Sequence, residues 1–175
     1  MDIKKGDYVV YRGSGVCQVV DIESQTMDGI HSILYYKLKP LHDINSTYYI
    51  PVEKAYEKIR HLLSKDDIIN LIDSIPYSEP LDTALSDNRR ERKELYSQII
   101  KSDDPKALLS LILSLYFKKI SSETQGKRFS SMDETVMKNI EQPLLQEFGF
   151  VLGMEEDELR KFIDTRVTKI HRTNN

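Results

Sequence analysis

The sequence has very little cysteine and lacks tryptophan. Its 175 residues include one cysteine and no tryptophan. A single cysteine, Cys17, excludes an intramolecular disulfide framework and a zinc site made of thiolates. We therefore interpret Cys17 as a small apolar residue packed in a strand.

Long hydrophobic runs are also missing. The densest apolar cluster, residues 108–115, is interrupted by Ser110 and Ser114 and is too short to span a bilayer. The first six residues lack the apolar run of a signal peptide. We expect a soluble cytoplasmic protein with no membrane contact, large enough for one ordinary domain or two small ones.

The charge balance argues against a surface covered with phosphate-binding side chains. The formal net charge is −3, with 25 basic and 28 acidic side chains. Residues 1–60 hold 8 of each sign, which leaves 17 basic and 20 acidic side chains for residues 61–175. Any affinity for nucleic acid must therefore come from a local cluster of cations.

Short segments rich in β-branched and aromatic residues dominate the first sixty positions. Residues 6–23 contain two such segments around a Gly-Ser-Gly turn at 13–15, which predicts a hairpin because glycine readily adopts positive φ. Further strands are predicted at residues 33–39 and 47–50, where apolar side chains alternate or cluster before a proline. Four or five short strands favour a small antiparallel barrel of the SH3 or Tudor kind.

Helical spacing of apolar residues begins at position 64 and predicts five helices. Their expected starts, each marked by a capping residue or an acidic first turn, are Ser64, Ser86 or Asp87, Asp104, Ser130 or Ser131, and Glu155. In the fourth helix, Asp133 and Glu134 stand at the capping-box offset, and Pro143 should kink or split the helix. The third helix is apolar over most of its circumference, which predicts burial on nearly all sides.

The predicted fold class is α+β, with an SH3/Tudor-like small β-barrel followed by a compact all-α domain. We place the β domain at residues 1–60, a helix with a linker at residues 61–85, and the helical domain at residues 86–175. The prolines at 76 and 80 mark the linker, because proline cannot continue the preceding helix.

No pattern of residues indicates catalysis or a cofactor. The four histidines lie far apart and match no metal-binding spacing; they are His31, His42, His61 and His171. Paired acids fall at helix starts, where capping and the helix dipole account for them. The Gly-Ser-Gly turn joins two strands and precedes no helix, so it is not a phosphate-binding loop. We predict a protein without enzymatic activity.

Four cations crowd the first turns of the second predicted helix. They are Arg89, Arg90, Arg92 and Lys93. Positive charge at a helix N-terminus opposes the helix dipole, so an anionic partner such as a phosphodiester backbone would compensate it. A solvated face, with Glu91 and Glu94 as ion-pair partners, explains the cluster equally well.

Several motifs resemble those of CarD-type bacterial transcription regulators and of the RNA-polymerase-interacting domain of transcription-repair coupling factors. The opening motifs are Gly-Asp-Tyr-Val-Val-Tyr at 6–11, Gly-x-Gly-Val at 13–16 and Val-x-Asp-Ile-Glu at 19–23. The later ones are Tyr-Tyr-Lys-Leu-Lys at 35–39, Tyr-Ile-Pro-Val-Glu at 49–53, Ile-Arg at 59–60 and Asn-Arg-Arg-Glu-Arg-Lys at 88–93. The resemblance extends over roughly residues 3–165 in the order expected for the family.

The resemblance implies a non-enzymatic regulator with two contacts. The Tudor-like domain would bind the β subunit of RNA polymerase, with Gln25, Thr47 and Tyr49 at the interface. The helical domain of a monomer would touch promoter DNA near the upstream edge of the transcription bubble. The residues implied at that contact are Asn88, Arg89, Arg90, Arg92 and Lys93.

Three positions depart from the family pattern. Arg89 occupies the place of a tryptophan that commonly follows the asparagine of the basic helix, and arginine enters a narrow minor groove by charge rather than by stacking. Gln25 and Tyr49 stand where the family places arginines toward polymerase. An alternative interpretation is therefore a Tudor-like module that binds another protein partner without direct DNA contact.

Overall fold

The computed structural model describes residues 2–26, 32–79, 81 and 86–173. The chain divides into two compact units, Met1–Leu63 and Ser64–Asn175. The first unit consists of strands and the second of helices, so the predicted α+β class is confirmed. His31 lies outside the described residues, and so does the side chain of His171.

The first unit contains one antiparallel sheet of five strands. The strands are β1 (Tyr8–Tyr11), β2 (Gly15–Thr26), β3 (Ser32–Pro40), β4 (Tyr48–Pro51) and β5 (Ile59–His61), in the order β4-β3-β2-β1-β5. A 3-10 turn, Val52–Glu57, connects β4 with β5. Because sequential strands pair with each other and β5 returns beside β1, β4 and β5 form the two edges of the sheet.

A tight turn and a bulge shape this sheet. Gly13 and Gly15 adopt φ values of 78° and 74° between β1 and β2, a conformation that side-chain-bearing residues rarely adopt. On β2, the pairing with β3 shifts register between Val19 and Asp21, so Val20 is the extra residue of a bulge. Bulges bend a strand and increase its twist, which lets the twelve-residue β2 curve over the core.

The sheet covers a core of alternating side chains. The buried cluster consists of Ile3, Val9, Cys17, Val19, Tyr36, Leu38, Ile50, Ala55 and Ile59. Cys17 is fully buried, as predicted for a packed apolar residue. The alternation places the side chains of Lys37 and Tyr49, which are paired across β3 and β4, on the opposite face of the sheet.

The second unit contains five described α-helices. They are α1 (Lys65–Ser74), α2 (Arg89–Ser102), α3 (Pro105–Thr124), α4 (Ser131–Leu152) and α5 (Glu156–Thr173). Helix α1 contacts α4 and α5, so it belongs to the helical bundle and not to the sheet. Helix α4 packs between α3 and α5, and α2 packs against α3.

Local capping sets most of the helix ends. Ser64 and Asp67 form a complete capping box at the start of α1, and Asp104 accepts the backbone N–H of Lys106 at the start of α3. Gly153 ends α4 at a φ of 72°. The predicted cap of helix α2 was wrong. Asn88 caps its first turn, and neither Ser86 nor Asp87 does.

The structure bears on two expectations for the longer helices, and it corrects the second. Helix α4 continues through Pro143 to Leu152 without splitting. Helix α3 buries only one side, since Tyr116, Phe117 and Ile120 are each at least half exposed. An apolar sequence pattern alone did not reveal which side of α3 the neighbouring helices leave open.

Candidate functional site

One candidate surface lies at the β4 edge of the sheet. Within the described part of the chain, β4 pairs only with β3, so its other side presents unpaired backbone groups. Such an edge can accept an extended segment of another protein by adding a strand. Thr47, half-buried, directly precedes this strand, and Tyr49, 41% exposed, lies within it.

A chain of polar contacts connects Tyr49 with Gln25 across three strands. The Nζ of Lys37 lies 5.5 Å from the centre of the Tyr49 ring and 3.9 Å from Oε2 of Glu23. On the other side of Glu23, Oε1 accepts a hydrogen bond of 3.1 Å from Nε2 of Gln25. The structure therefore brings two predicted polymerase-binding residues into one surface, with Lys37 and Glu23 between them.

The charge of Lys37 is stabilised in this arrangement. A side-chain hydrogen bond with Tyr49, followed by the charge of Glu23, raises the pKa of Lys37 above its ordinary value. The ammonium group and the aromatic ring attract each other, which orients the tyrosine beside the sheet edge. Sequence reasoning did not single out Lys37 or Glu23, although their alternation with core residues placed them on the outer face.

An apolar side chain extends this surface toward the end of the β2–β3 hairpin. Ile33, on the same face of β3 as Lys37, is 38% exposed and pairs with Gln25. An exposed edge strand, an aromatic ring and an exposed aliphatic side chain together are typical of a protein-binding surface rather than of a nucleic-acid-binding one.

The second candidate surface is the N-terminal end of α2. The side-chain oxygen of Asn88 accepts the backbone N–H groups of Arg90 and Glu91, and Asn88 Nδ2 donates to Glu91 Oε1 at 2.7 Å. Asn88 and Glu91 are therefore engaged in capping the helix. The side chains of Arg89, Arg90 and Lys93 are exposed around this cap, and we call these three residues the basic rim.

The basic rim is only partly neutralised by its own helix. Arg90 Nε donates to Glu94 Oε1 at 3.1 Å, an exposed pair one helical turn apart. Exposed pairs of this kind contribute little to stability and exchange readily for another anion. Exposed arginine and lysine side chains at a helix end are of the type that contacts phosphates in other proteins.

Arg92 lies inside the helical unit, away from the rim. Its Nε is 3.4 Å from Asp133 Oδ1 on α4, and its Nη1 donates to the backbone carbonyl of Ser86 at 2.6 Å. Only 6% of Arg92 is exposed. The predicted contact of Arg92 with DNA is therefore corrected, because the guanidinium is held by its own chain.

Asp133 is the centre of a buried polar network. Its Oδ1 also accepts the hydroxyl of Tyr96 at 3.0 Å, and its Oδ2 lies 3.3 Å from Nζ of Lys118 on α3. Burial, followed by the charge of Asp133, raises the pKa of Tyr96 and keeps its phenol protonated. One carboxylate thus ties together α2, α3 and α4 behind the basic rim, and it does not serve as the capping-box residue that its position suggested.

Residues 3–63 match a family model, the CarD-like/TRCF RID domain. The N-terminal unit is a CarD-like domain. The resemblance found in the sequence is thereby confirmed for residues 3–63, and the match supports an interaction with RNA polymerase. The family is not enzymatic. No curated protein matches the chain.

The helical unit lies beyond the matched residues of the CarD-like model. No cluster of histidine, cysteine or acidic side chains suited to a metal ion occurs among the described residues of either unit. Of the helices described, none has the length and apolarity to cross a membrane.

Proposed function

We propose that the protein is a non-enzymatic transcription regulator that binds the β subunit of RNA polymerase and contacts promoter DNA. The match of residues 3–63 to the CarD-like domain carries this proposal. The polymerase contact would use the free edge of β4 and the surface that contains Gln25, Thr47 and Tyr49. Strand addition supplies affinity through the backbone, and the side chains supply specificity.

The DNA contact would use the basic rim, with Asn88 holding the helix end in place. Arg89, Arg90 and Lys93 can reach phosphates, whereas Arg92 acts from the interior by fixing α2 against α4. A factor that touches polymerase and DNA together stabilises whichever promoter state presents both surfaces at the right separation. It thereby changes how readily the open complex forms or persists.

The polymerase contact is tested by co-purification of RNA polymerase with the full chain. Tyr49→Ala should reduce recovery of the β subunit, because it removes the ring beside Lys37 at the strand edge. Tyr56→Ala is the matched control, since Tyr56 is 70% exposed in the same unit but lies on the 3-10 turn. An equal loss of β-subunit recovery in both variants would show that the β4 edge is not part of the interface.

The DNA contact is tested by the salt dependence of binding to a promoter duplex. Replacing all three rim cations by glutamine should flatten the slope by about 0.9 for each phosphate that the variant no longer neutralises. The matched control replaces Lys65, Lys101 and Lys106, which are exposed in the same unit and carry the same total charge. A slope that changes equally in both variants would favour a polymerase-binding module without direct DNA contact.

A further inference from the structure

A groove of about 700 Å³ runs between α2 and α4 directly beside the basic rim. One side is bordered by Arg89, Arg90 and Lys93. Its floor includes apolar side chains of both helices, namely Ile100, Met132 and Val136. All three are half-buried, so the groove leaves apolar surface in contact with water next to concentrated positive charge.

A DNA backbone would leave this floor unused. Phosphates pair with the cations of the rim, but they gain little from contact with aliphatic side chains. A ligand that uses the whole groove must combine negative charge with an apolar group, because exposed apolar surface next to charge favours an occupant that covers both.

An unpaired nucleotide base fits the floor poorly. Single-strand-binding surfaces stack bases on exposed aromatic rings. The aromatic residue that lines this groove, Tyr96, is only 3% exposed, and its hydroxyl is bonded to Asp133. The exposed part of the floor is therefore aliphatic and suits an aliphatic or thioether side chain.

We propose that the groove binds an acidic segment of a partner protein, which places carboxylates on the rim and inserts an apolar side chain between α2 and α4. Charge complementarity selects the occupant, since the cations at 89, 90 and 93 lie within about one turn of helix. A few carboxylates can pair with these cations. The acidic side chains elsewhere in the unit repel such a short segment less than they would repel a long polyanion. Because the same cations serve the proposed DNA contact, the segment and DNA exclude each other.

The test measures anisotropy of a short fluorescein-labelled peptide that is rich in glutamate and carries two leucines one helical turn apart. The full chain should bind it, and replacing both leucines by serine should weaken binding about tenfold. The floor variant Met132→Gln with Val136→Thr changes polarity at nearly constant shape and should produce a similar loss. Ile120→Thr, at an exposed site on α3, should leave binding unchanged.

A parallel titration with promoter duplex, and with the same duplex carrying an unpaired bubble, separates this inference from the proposed DNA contact. We expect the floor variant to lose peptide affinity while both DNA affinities stay the same, and unlabelled duplex to displace the peptide. Equal binding of the leucine and serine peptides would overturn the proposal, since charge alone would then explain it. A floor variant that weakens only bubble DNA would overturn it in favour of a base in the groove.

Discussion

Arg92 Nε lies 3.4 Å from Asp133 Oδ1, although the two residues are 41 positions apart. Both side chains are almost completely buried, at 8% and 0% exposure. A buried ion pair costs desolvation on both sides, so its main effect is to make one arrangement of the helices much better than its alternatives. Here that arrangement keeps Arg92 inside and the basic rim outside.

Asp133→Asn should destabilise the protein by about 3–5 kcal/mol, because it leaves the buried Arg92 without its counter-charge and weakens the pairing of the partly buried Lys118. Urea unfolding measures the loss. Glu134→Gln is the control, since Glu134 pairs with Lys138 at the surface and should change stability by less than about 1 kcal/mol. Similar losses of stability in the two variants would show that the buried pairs of Asp133 contribute no more than an exposed pair does.

Cys17 should make stability depend on alkaline pH. Burial raises the pKa of its thiol from 9.0 to about 11, so the folded state holds the proton more tightly than the unfolded state. The stabilisation of the folded state by the protonated thiol is complete below pH 9 and is lost as the pH rises through 11. We expect the stability difference between the native chain and Cys17→Ala to shrink over this range, measured by urea unfolding. A constant difference would contradict the raised pKa.

The pair between Asp73 and Arg166 should make stability depend on acidic pH. Arg166 Nη2 donates to Asp73 Oδ2 at 2.8 Å, joining α1 to α5, and this hydrogen bonding lowers the pKa of Asp73 below 3.8. The stabilisation of the folded state by this pair is present above pH 3.8 and disappears as the pH falls through the lowered pKa of Asp73. Because both side chains are about one-third exposed, we expect a coupling of about 1 kcal/mol or less.

A double-mutant cycle measures that coupling directly. Asp73→Asn, Arg166→Gln and the double variant should give non-additive losses near pH 7 and additive losses in acid. Additive losses at both pH values would mean that the two helices are held together without this pair.

Gly149→Ala should be destabilising although alanine favours helices by about 1 kcal/mol over glycine. An added methyl group would lie 2.8 Å from the backbone carbonyl oxygen of Met154, at the turn between α4 and α5. We expect a net loss of about 1–3 kcal/mol in thermal or urea unfolding. Asn139→Ala, at an exposed position of the same helix, should cause no such loss.

The sequence predicted those features that depend on neighbouring residues. The capping box at Ser64, the turn at Gly13 and the αL end of α4 at Gly153 each follow from local chemistry, and the structure shows all three. The alternation along β3 likewise identified Leu34, Tyr36 and Leu38 as one face of the strand, because side chains in a strand alternate with a period of two.

Features that depend on distant residues could not be predicted from local patterns. Arg92 looked like one of four equivalent cations until helix packing placed it against Asp133. Asp133 itself looked like a capping residue because it stands near the start of α4. The contact of Lys37 with Tyr49 required the register of β3 and β4, which only the paired strands define.

The network around Asp133 also restricts how this part of the sequence can change over evolution. The carboxylate of Asp133 neutralises cations from two helices. The backbone carbonyl of Ser86 accepts hydrogen bonds from the same two cations, Arg92 and Lys118. Loss of the aspartate removes the counter-charge of both cations at once, whereas loss of one cation leaves the other still paired with it. Homologues that lack the aspartate should therefore have replaced the buried Arg92 as well, whereas the exposed arginines and lysine beside it remain free to vary one at a time.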